Sequence, residues 1–354
     1  MRASNTIISQ TNIENGLELT TFLNHAGFIH QESGGVFNYL SLGLIAMEKL
    51  ENKLDSYMRK MGCVKWKMAA LQCQKNWEKT QRDKKYGNEL IQVTLNKGVM
   101  RLSATAEEQI TNIYHSFMKN RKANYWFYQI TDKWRDEMRA KGGLVRGKEF
   151  RMMDAYSFDS NKIDMIDKYE KGKNILVEFL KDLGLEVKVQ MADCGEVGGS
   201  VSEEIMVKSH LGGDDGWIEV GHVFCLEDKY SKAFNLKDCD GGYVYMTCHG
   251  LGVSRLLAIM LDKIRDDTKI IGSDKFCLFD YVIVGNDKNE KVAKKIEKIK
   301  EKLENDGMSV IHEDRFKKMG QAMNASERVG ARRRIVVKLI DDEVIFEDEK
   351  LIGN

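Results

Sequence analysis

The chain contains no proline in 354 residues. Average usage of about 5% would place roughly 18 in a chain this long. A bias toward A/T-rich codons does not explain the gap, because Gly 30 survives although its codons are also GC-rich. Proline itself has been removed. Such a chain forfeits the rigidity that proline gives to turns and helix starts, so its loops are expected to be loose. It also folds without a slow X-Pro isomerisation step.

The remaining composition is that of an ordinary globular protein. Hydrophobic residues make 42% and charged residues 31%, enough to bury a core and stay in solution. The length suits two domains. No stretch approaches about 18 uninterrupted apolar residues, so no membrane span is expected. Lys+Arg 55 against Asp+Glu 54 leaves a net charge of +1, so any nucleic-acid contact must come from local patches. Seven cysteines without a CxxC fit neither a disulfide framework nor a zinc ribbon. Reduced, mostly buried thiols are expected. The first twenty residues lack an apolar core and carry Glu14 and Glu18, unlike a signal peptide or a presequence, which places the chain in the cytoplasm.

Periodicity predicts mixed α/β structure. Leu44, Met47, Leu50, Leu54, Tyr57 and Met61 recur at helical spacing, and Gly62 is a natural stop. Residues 103–118 read as a turn and a helix. An aromatic strand over 125–130 continues into 134–138, and a charged loop (139–148) leads to a second strand over 149–153, forming a hairpin with a basic tip. A helix is predicted from Tyr156 to Leu183 and a strand over 185–191. Residues 193–216 are rich in glycine and read as loop, followed by strands over 217–226 and 242–248. HGLGVSR (249–255) reads as a glycine turn opening a helix. A composition shift near 271–275 marks the domain boundary, giving domains over 1–270 and 275–354. Beyond it lie a strand (278–284), a helix (290–305), a strand (308–312) and two more strands (335–340, 344–346).

Charge in this last part is segregated. Eight basic residues and one acid lie between Arg315 and Lys338, and residues 341–349 then hold six acids. A solvated surface is the bland reading. The sharper one is a polyphosphate contact through Arg315, Lys317, Lys318, Arg332, Arg333 and Arg334.

Three segments point to chemistry on phosphates and an amine. In WRDEMRAKGGLVRGKEF, Arg135 and Glu137 lie two apart on a predicted strand and so project from one face. An arginine there can clamp a phosphate oxygen, and the glutamate can accept from an amine or a ribose hydroxyl. Arg146 and Phe150 offer a second phosphate contact and an aromatic plate for a base. A salt-bridged surface hairpin would look the same. Gly250 and Gly252 permit close approach of the backbone, with Arg255 opening the helix, but the dinucleotide fingerprint is incomplete. Thr105 and Glu107 could hold an ammonium group; alone, a capped helix N-terminus explains them as well.

In this order the segments resemble a class II aminoacyl-tRNA synthetase, and within that class the prolyl-tRNA synthetase family of the bacterial and mitochondrial type. FNYLSLGL (37–44), KMAALQ (67–72), RLSATAEE (101–108), WRDEMRAKGGLVRGKEFRMMDAYSF (134–158), DCGEVGGSVSEE (193–204), GWIEVGHVF (216–224) with DKYS (228–231), and GLGVSR (250–255) are similar to family motifs in sequence order. The resemblance implies an antiparallel sheet flanked by helices, a dimer formed through motif 1, and a C-terminal α/β anticodon-binding domain. It implies that Arg135, Glu137 and Arg255 are catalytic, and that Arg135, Glu137, Arg146, Phe150, Glu219 and Arg255 bind ATP. Proline would be held by Thr105, Glu107, Arg135, Met152, Tyr156 and His222; the last three could equally be ordinary core packing. Mg²⁺ would accompany ATP near Glu219, no zinc is expected, and tRNA(Pro) is the partner. Fewer than a hundred residues separate Phe158 from Gly242, too few for the editing insertion of many bacterial members, so no editing in cis is expected.

Departures from the family pattern fall where proline is usual: Ser41, Ala69, Ala104, Ala140, Met319 and Arg332. Others do not: Glu203 stands for a histidine, Glu227–Asp228 for a Gly-Thr pair, and Ala322–Met323 for a Lys-Phe pair. They keep open a second reading, a tRNA- or aminoacyl-binding paralog without activity. A synthetase free of its own substrate can be translated before any prolyl-tRNA exists. Design or selection for that property is the favoured explanation, and natural loss of proline the alternative.

Overall fold

Alternation with period two builds the central layer. The computed structural model describes residues 1–6, 13–118, 121–316 and 318–352. Its chain divides into two units, residues 33–36 with 50–256, and residues 1–32 and 37–49 with 257–354. The first unit is organised around seven strands: Val64–Lys65 (β1), Asn124–Trp134 (β2), Glu149–Asp159 (β3), Val187–Ala192 (β4), Val201–Lys208 (β5), Trp217–Glu227 (β6) and Met246–Gly252 (β7). Their spatial order is β1-β2-β3-β7-β6-β5-β4. All neighbours are antiparallel except β1 and β2.

Helices cover this sheet. Ser41–Met61 (α1) buries Leu50, Leu54, Met58 and Met61, whereas Leu44, expected on that face, is 48% exposed. The helix stops at Gly62, whose φ of 94° only glycine adopts readily, and the Cys63 N–H closes back on the Met58 carbonyl. Glu107–Met118 (α2) contributes Ile110 and Tyr114 to a core with Phe127, Phe158, Leu226 and Met246, in which Tyr114 and Phe158 stack at 4.0 Å. Lys162–Asp182 (α3) is capped by the Asn161 side chain and packs on β3, β6 and β7.

The α3 contact depends on Gly172. A Cβ there would overlap the buried imidazole of His249 on β7. That ring donates from Nε2 to the Tyr169 carbonyl, and burial pushes its pKa down to about 4, so it is neutral. Gly172→Ala is therefore expected to cost about 1–3 kcal/mol, since a packed ring has nowhere to move. Chemical denaturation of the variant measures it, and a loss under 0.5 kcal/mol would refute the overlap.

Several boundaries differ from the sequence expectation. β2 ends at Trp134, so Arg135 and Glu137 follow the strand and do not lie on it. β3 runs on to Asp159 and α3 starts only at Lys162. β5 lies inside the stretch read as loop; Glu203 and Glu204 interrupt its apolar alternation, and Glu203 is held there by Tyr169 and Lys173. HGLG is not a turn, because β7 carries both glycines and passes directly into the helix Val253–Lys263 (α4).

The second unit contains Phe279–Gly285 (β8), Val310–Glu313 (β9), Ala331–Ile340 (β10) and Glu343–Lys350 (β11), in the order β9-β8-β10-β11. β8 is parallel to β9 and to β10, and β11 returns antiparallel. Glu290–Asn305 (α5), capped by Asn289, buries Val292 and Ile296 against Ile283, Val310, Ile335 and Val337. Met319–Ser326 (α6) was not anticipated. The β10–β11 hairpin turns on Asp341 and Asp342, both at positive φ, a conformation that aspartate tolerates.

Candidate active site

Strand periodicity explains how the site is assembled. Phe150, Met152, Asp154 and Tyr156 alternate along β3, and Cys248, Gly250 and Gly252 alternate along β7. All seven line one cavity of about 420 Å³. β6 contributes Glu219, His222 and Phe224, which strict alternation would not put on one face. A bulge resolves this: Ile205 pairs with Gly221 and Met206 with Glu219, so Val220 is the extra residue and re-aims Glu219. Gly250 and Gly252 keep the floor low. A Cβ on either would meet nothing nearer than 3.6 Å, so their missing side chains leave room in the cavity without serving a tight backbone approach.

The walls are charged. Thr105 lies just before α2 and Glu107 opens it, Arg135, Glu137 and Arg146 come from the β2–β3 loop, and Arg255 from the first turn of α4. Each arginine is already held. Arg135 donates from Nε and Nη2 to the Ala104 carbonyl at 3.2 and 3.1 Å and lies over the Phe150 ring at 5.3 Å. Arg146 pairs with Glu137 at 2.8 Å. Arg255 donates to the Val145 and Glu219 carbonyls and lies 3.6 Å from the Glu219 carboxylate. Burial lowers the pKa of Arg255. Burial opposes the charges of Glu137 and Glu219, but the hydrogen bond from Arg146 to the first, and His222 with Arg255 beside the second, outweigh it and hold both carboxyls below their usual range.

All eleven residues expected to bind ATP or proline line this one cavity. Tyr156 is fully buried, and its hydroxyl accepts from the Ala106 N–H. His222 stacks on Phe224 at 4.1 Å. The lining residues that were not singled out include Tyr86, Asp154, Val197, Phe224 and Cys248. For Asp154 and Cys248, the even-number alternation with Met152 and Gly250 was available in the sequence. Glu204, Glu219 and His222 bring donor atoms within 4.8 Å of one another. The two carboxylates suit a hard cation such as Mg²⁺ delivered with a nucleotide, since it takes few protein ligands beside phosphate oxygens.

The basic residues of the second unit are placed differently. Arg315 pairs with the buried Glu313, Arg333 with Asp348, and Arg334 with Glu327 and Glu349. Arg332 directs Nη2 at the Cys277 sulfur, Lys318 is exposed, and Lys317 lies outside the described residues. Acids of β11 thus pair with Arg333 and Arg334 of β10, while Lys318 stays exposed.

A mainly antiparallel sheet with an aromatic plate and acids on one face, and arginines brought over it by a loop and a helix, has the arrangement of a class II aminoacyl-tRNA synthetase core. The tRNA synthetase class II core domain (G, H, P, S and T) family matches residues 94–264. A proline–tRNA ligase of Ehrlichia chaffeensis is 30% identical over 77% of this chain and 77% of its own length, and one of Anaplasma phagocytophilum is 29% identical over 93% and 90%. The chain belongs to the proline–tRNA ligase family. Its fold matches the Giardia lamblia prolyl-tRNA synthetase in complex with prolyl-adenylate, with a TM-score of 0.78 at 15% identity over 96% of this chain and 80% of that one. A Cryptosporidium parvum prolyl-tRNA synthetase complexed with L-proline and AMP gives 0.75 at 16% identity, over 97% and 75%.

Proposed function

We infer that the protein activates proline with ATP and transfers it to tRNA(Pro). The observation that carries this reading is the shared cavity, with an amine-binding end at Thr105 and Glu107 and a phosphate-binding end at Arg135, Arg146 and Arg255. Proline's carboxylate oxygen attacks the α-phosphorus, the bond to the bridging oxygen breaks, and pyrophosphate leaves. The terminal ribose hydroxyl of tRNA then attacks the prolyl carbonyl, and AMP leaves. Neither step needs a nucleophile from the protein. The chain aligns two anions and neutralises the charge that builds on the phosphoryl oxygens.

In this assignment Arg135 bridges the α-phosphate and the proline carboxylate, Arg146 and Arg255 hold the outer phosphates, and Phe150 stacks on adenine. Glu137 contacts the nucleotide, and Glu219 with Glu204 would hold the Mg²⁺ carried by ATP. Met152, Tyr156 and His222 wall the pyrrolidine ring. ATP must displace Glu137 from Arg146, an exchange of one anion for another at little electrostatic cost. Residues 1–270 form the catalytic domain and 275–354 the anticodon-binding domain. There tRNA phosphates compete with the carboxylates on Arg315, Arg333 and Arg334, beside Lys317, Lys318 and Arg332. Dimerisation through motif 1 and a cytoplasmic location complete the assignment; among the described residues no helix is long and apolar enough to cross a membrane. Residues between β3 and β7 are used by α3, β4, β5, β6 and a short helix at Lys229–Ala233, and the assignment includes no editing in cis.

Exchange of labelled pyrophosphate into ATP tests the reading. It is expected with proline and no other amino acid at comparable concentration. A folded protein that exchanges with none would be a binding paralog.

A further inference from the structure

Arg82 lies in the short helix Arg82–Tyr86, in no recognised motif, and its side chain is completely buried. Its Nη1 donates to Glu107 Oε2 and to both oxygens of Glu108, each at 3.0 Å. The rings of Trp77, Tyr86 and Tyr230 surround the guanidinium at 5.4–5.6 Å. Nε and Nη2 have no hydrogen-bond partner among the described residues. A charge this expensive to bury is kept only where something depends on it.

What depends on it is a carboxylate in the cavity. Glu107 Oε2 is occupied by Arg82 and by the Thr105 hydroxyl, and its Oε1 accepts the Cys248 thiol at 3.6 Å. We propose that Arg82 is a positioning residue for amino-acid recognition, fixing the charge and the orientation of Glu107 so that its remaining oxygen receives the substrate ammonium group. The proposal rests on the proline-activating reading above. Burial opposes ionisation of both glutamates. Arg82 and Thr105 overcome it at Glu107, whose carboxyl stays below the usual range, while Glu108 is pushed up by burial and by its neighbour.

Pyrophosphate exchange at varied proline, ATP and pH tests this on the full chain carrying Arg82→Met, Arg82→Lys or Glu108→Gln. Arg82→Met should raise the KM for proline about 10- to 100-fold, the worth of a charge-assisted contact, with kcat and the KM for ATP within about threefold. It should also move the acid limb of kcat/KM for proline to higher pH, because Glu107 loses the charge that keeps it ionised. Arg82→Lys should raise the KM yet leave the limb in place, and Glu108→Gln should change the KM for proline less than about threefold. Parallel loss of proline and ATP affinity, or an unmoved acid limb in Arg82→Met, would overturn the proposal. If Arg82→Met does not fold, the decision passes to the other two, and Glu108→Gln matching Arg82→Lys would make the cluster a fold support only. Absence of proline exchange in the unmodified chain would instead remove the reading of the site itself.

Discussion

Arg135→Ala is expected to lower proline-dependent pyrophosphate exchange by about 10³-fold, corresponding to about 4 kcal/mol of lost transition-state stabilisation. The guanidinium is prepared for its task before substrate arrives. Two of its nitrogens are anchored on the Ala104 carbonyl and its face rests on Phe150, so little reorganisation is needed when negative charge develops. Replacing it leaves two substrate anions facing each other across a low-dielectric cleft. The half-buried side chain makes no ion pair with the protein among the described residues, so the melting temperature should move by no more than about 2 °C. Steady-state exchange beside a thermal melt separates the two effects. Activity within tenfold of the unmodified enzyme would remove Arg135 from the reaction. The Ala104 anchor also explains how a family proline can be absent here, because both residues present the same carbonyl acceptor.

Lys133→Met should cost about 3–5 kcal/mol of stability. Lys133 is fully buried on β2, and its Nζ lies 2.9 Å from Asp154 Oδ1 on β3. Gln129, directly opposite Asp154, donates to its other oxygen. Without the ammonium, Asp154 keeps a buried charge and one neutral donor. Adding Asp154→Asn removes that charge and should restore at least about half of the loss, which identifies the uncompensated carboxylate as the cause. Urea denaturation of the two variants measures this, and a single-variant loss below 1 kcal/mol would mean that the pair is solvated in solution.

Much of the candidate site was legible before folding. Thr105, Glu107, Arg135, Arg146, Phe150, Glu219 and Arg255 stand in ordered segments whose chemistry suits an amine and a polyphosphate, and the structure brings them to one cavity. Long elements with clear periods were legible too, as with α5, predicted over residues 290–305 and found there. Short or mixed elements were not. β5 hides two acids among its apolar residues, and α6 opens on Met319 without a side-chain cap. The missing prolines are partly explained by position: Ser41 and Met319 are the first residues of α1 and α6, where proline is favoured because that N–H has no partner within the helix, and where its loss is mild.

What depended on distant residues stayed hidden. Arg82 reads as one more charge in QRDKKYG, and only the closing of three aromatic rings and two glutamates around it makes it exceptional. The basic run over 315–338 reads as a patch because sequence counts neighbours along the chain. The hairpin at Asp341–Asp342 instead sets Arg333 beside Asp348, Arg334 beside Glu349 and Lys338 beside Glu347, so these three are paired with acids far along the chain. Sequence alone determined the chemistry available, the family and the periodic elements, because residue type and spacing are local properties. Tertiary structure alone decided which charges are free, which are spent and which are buried, because partners and dielectric are set by residues far apart in the chain.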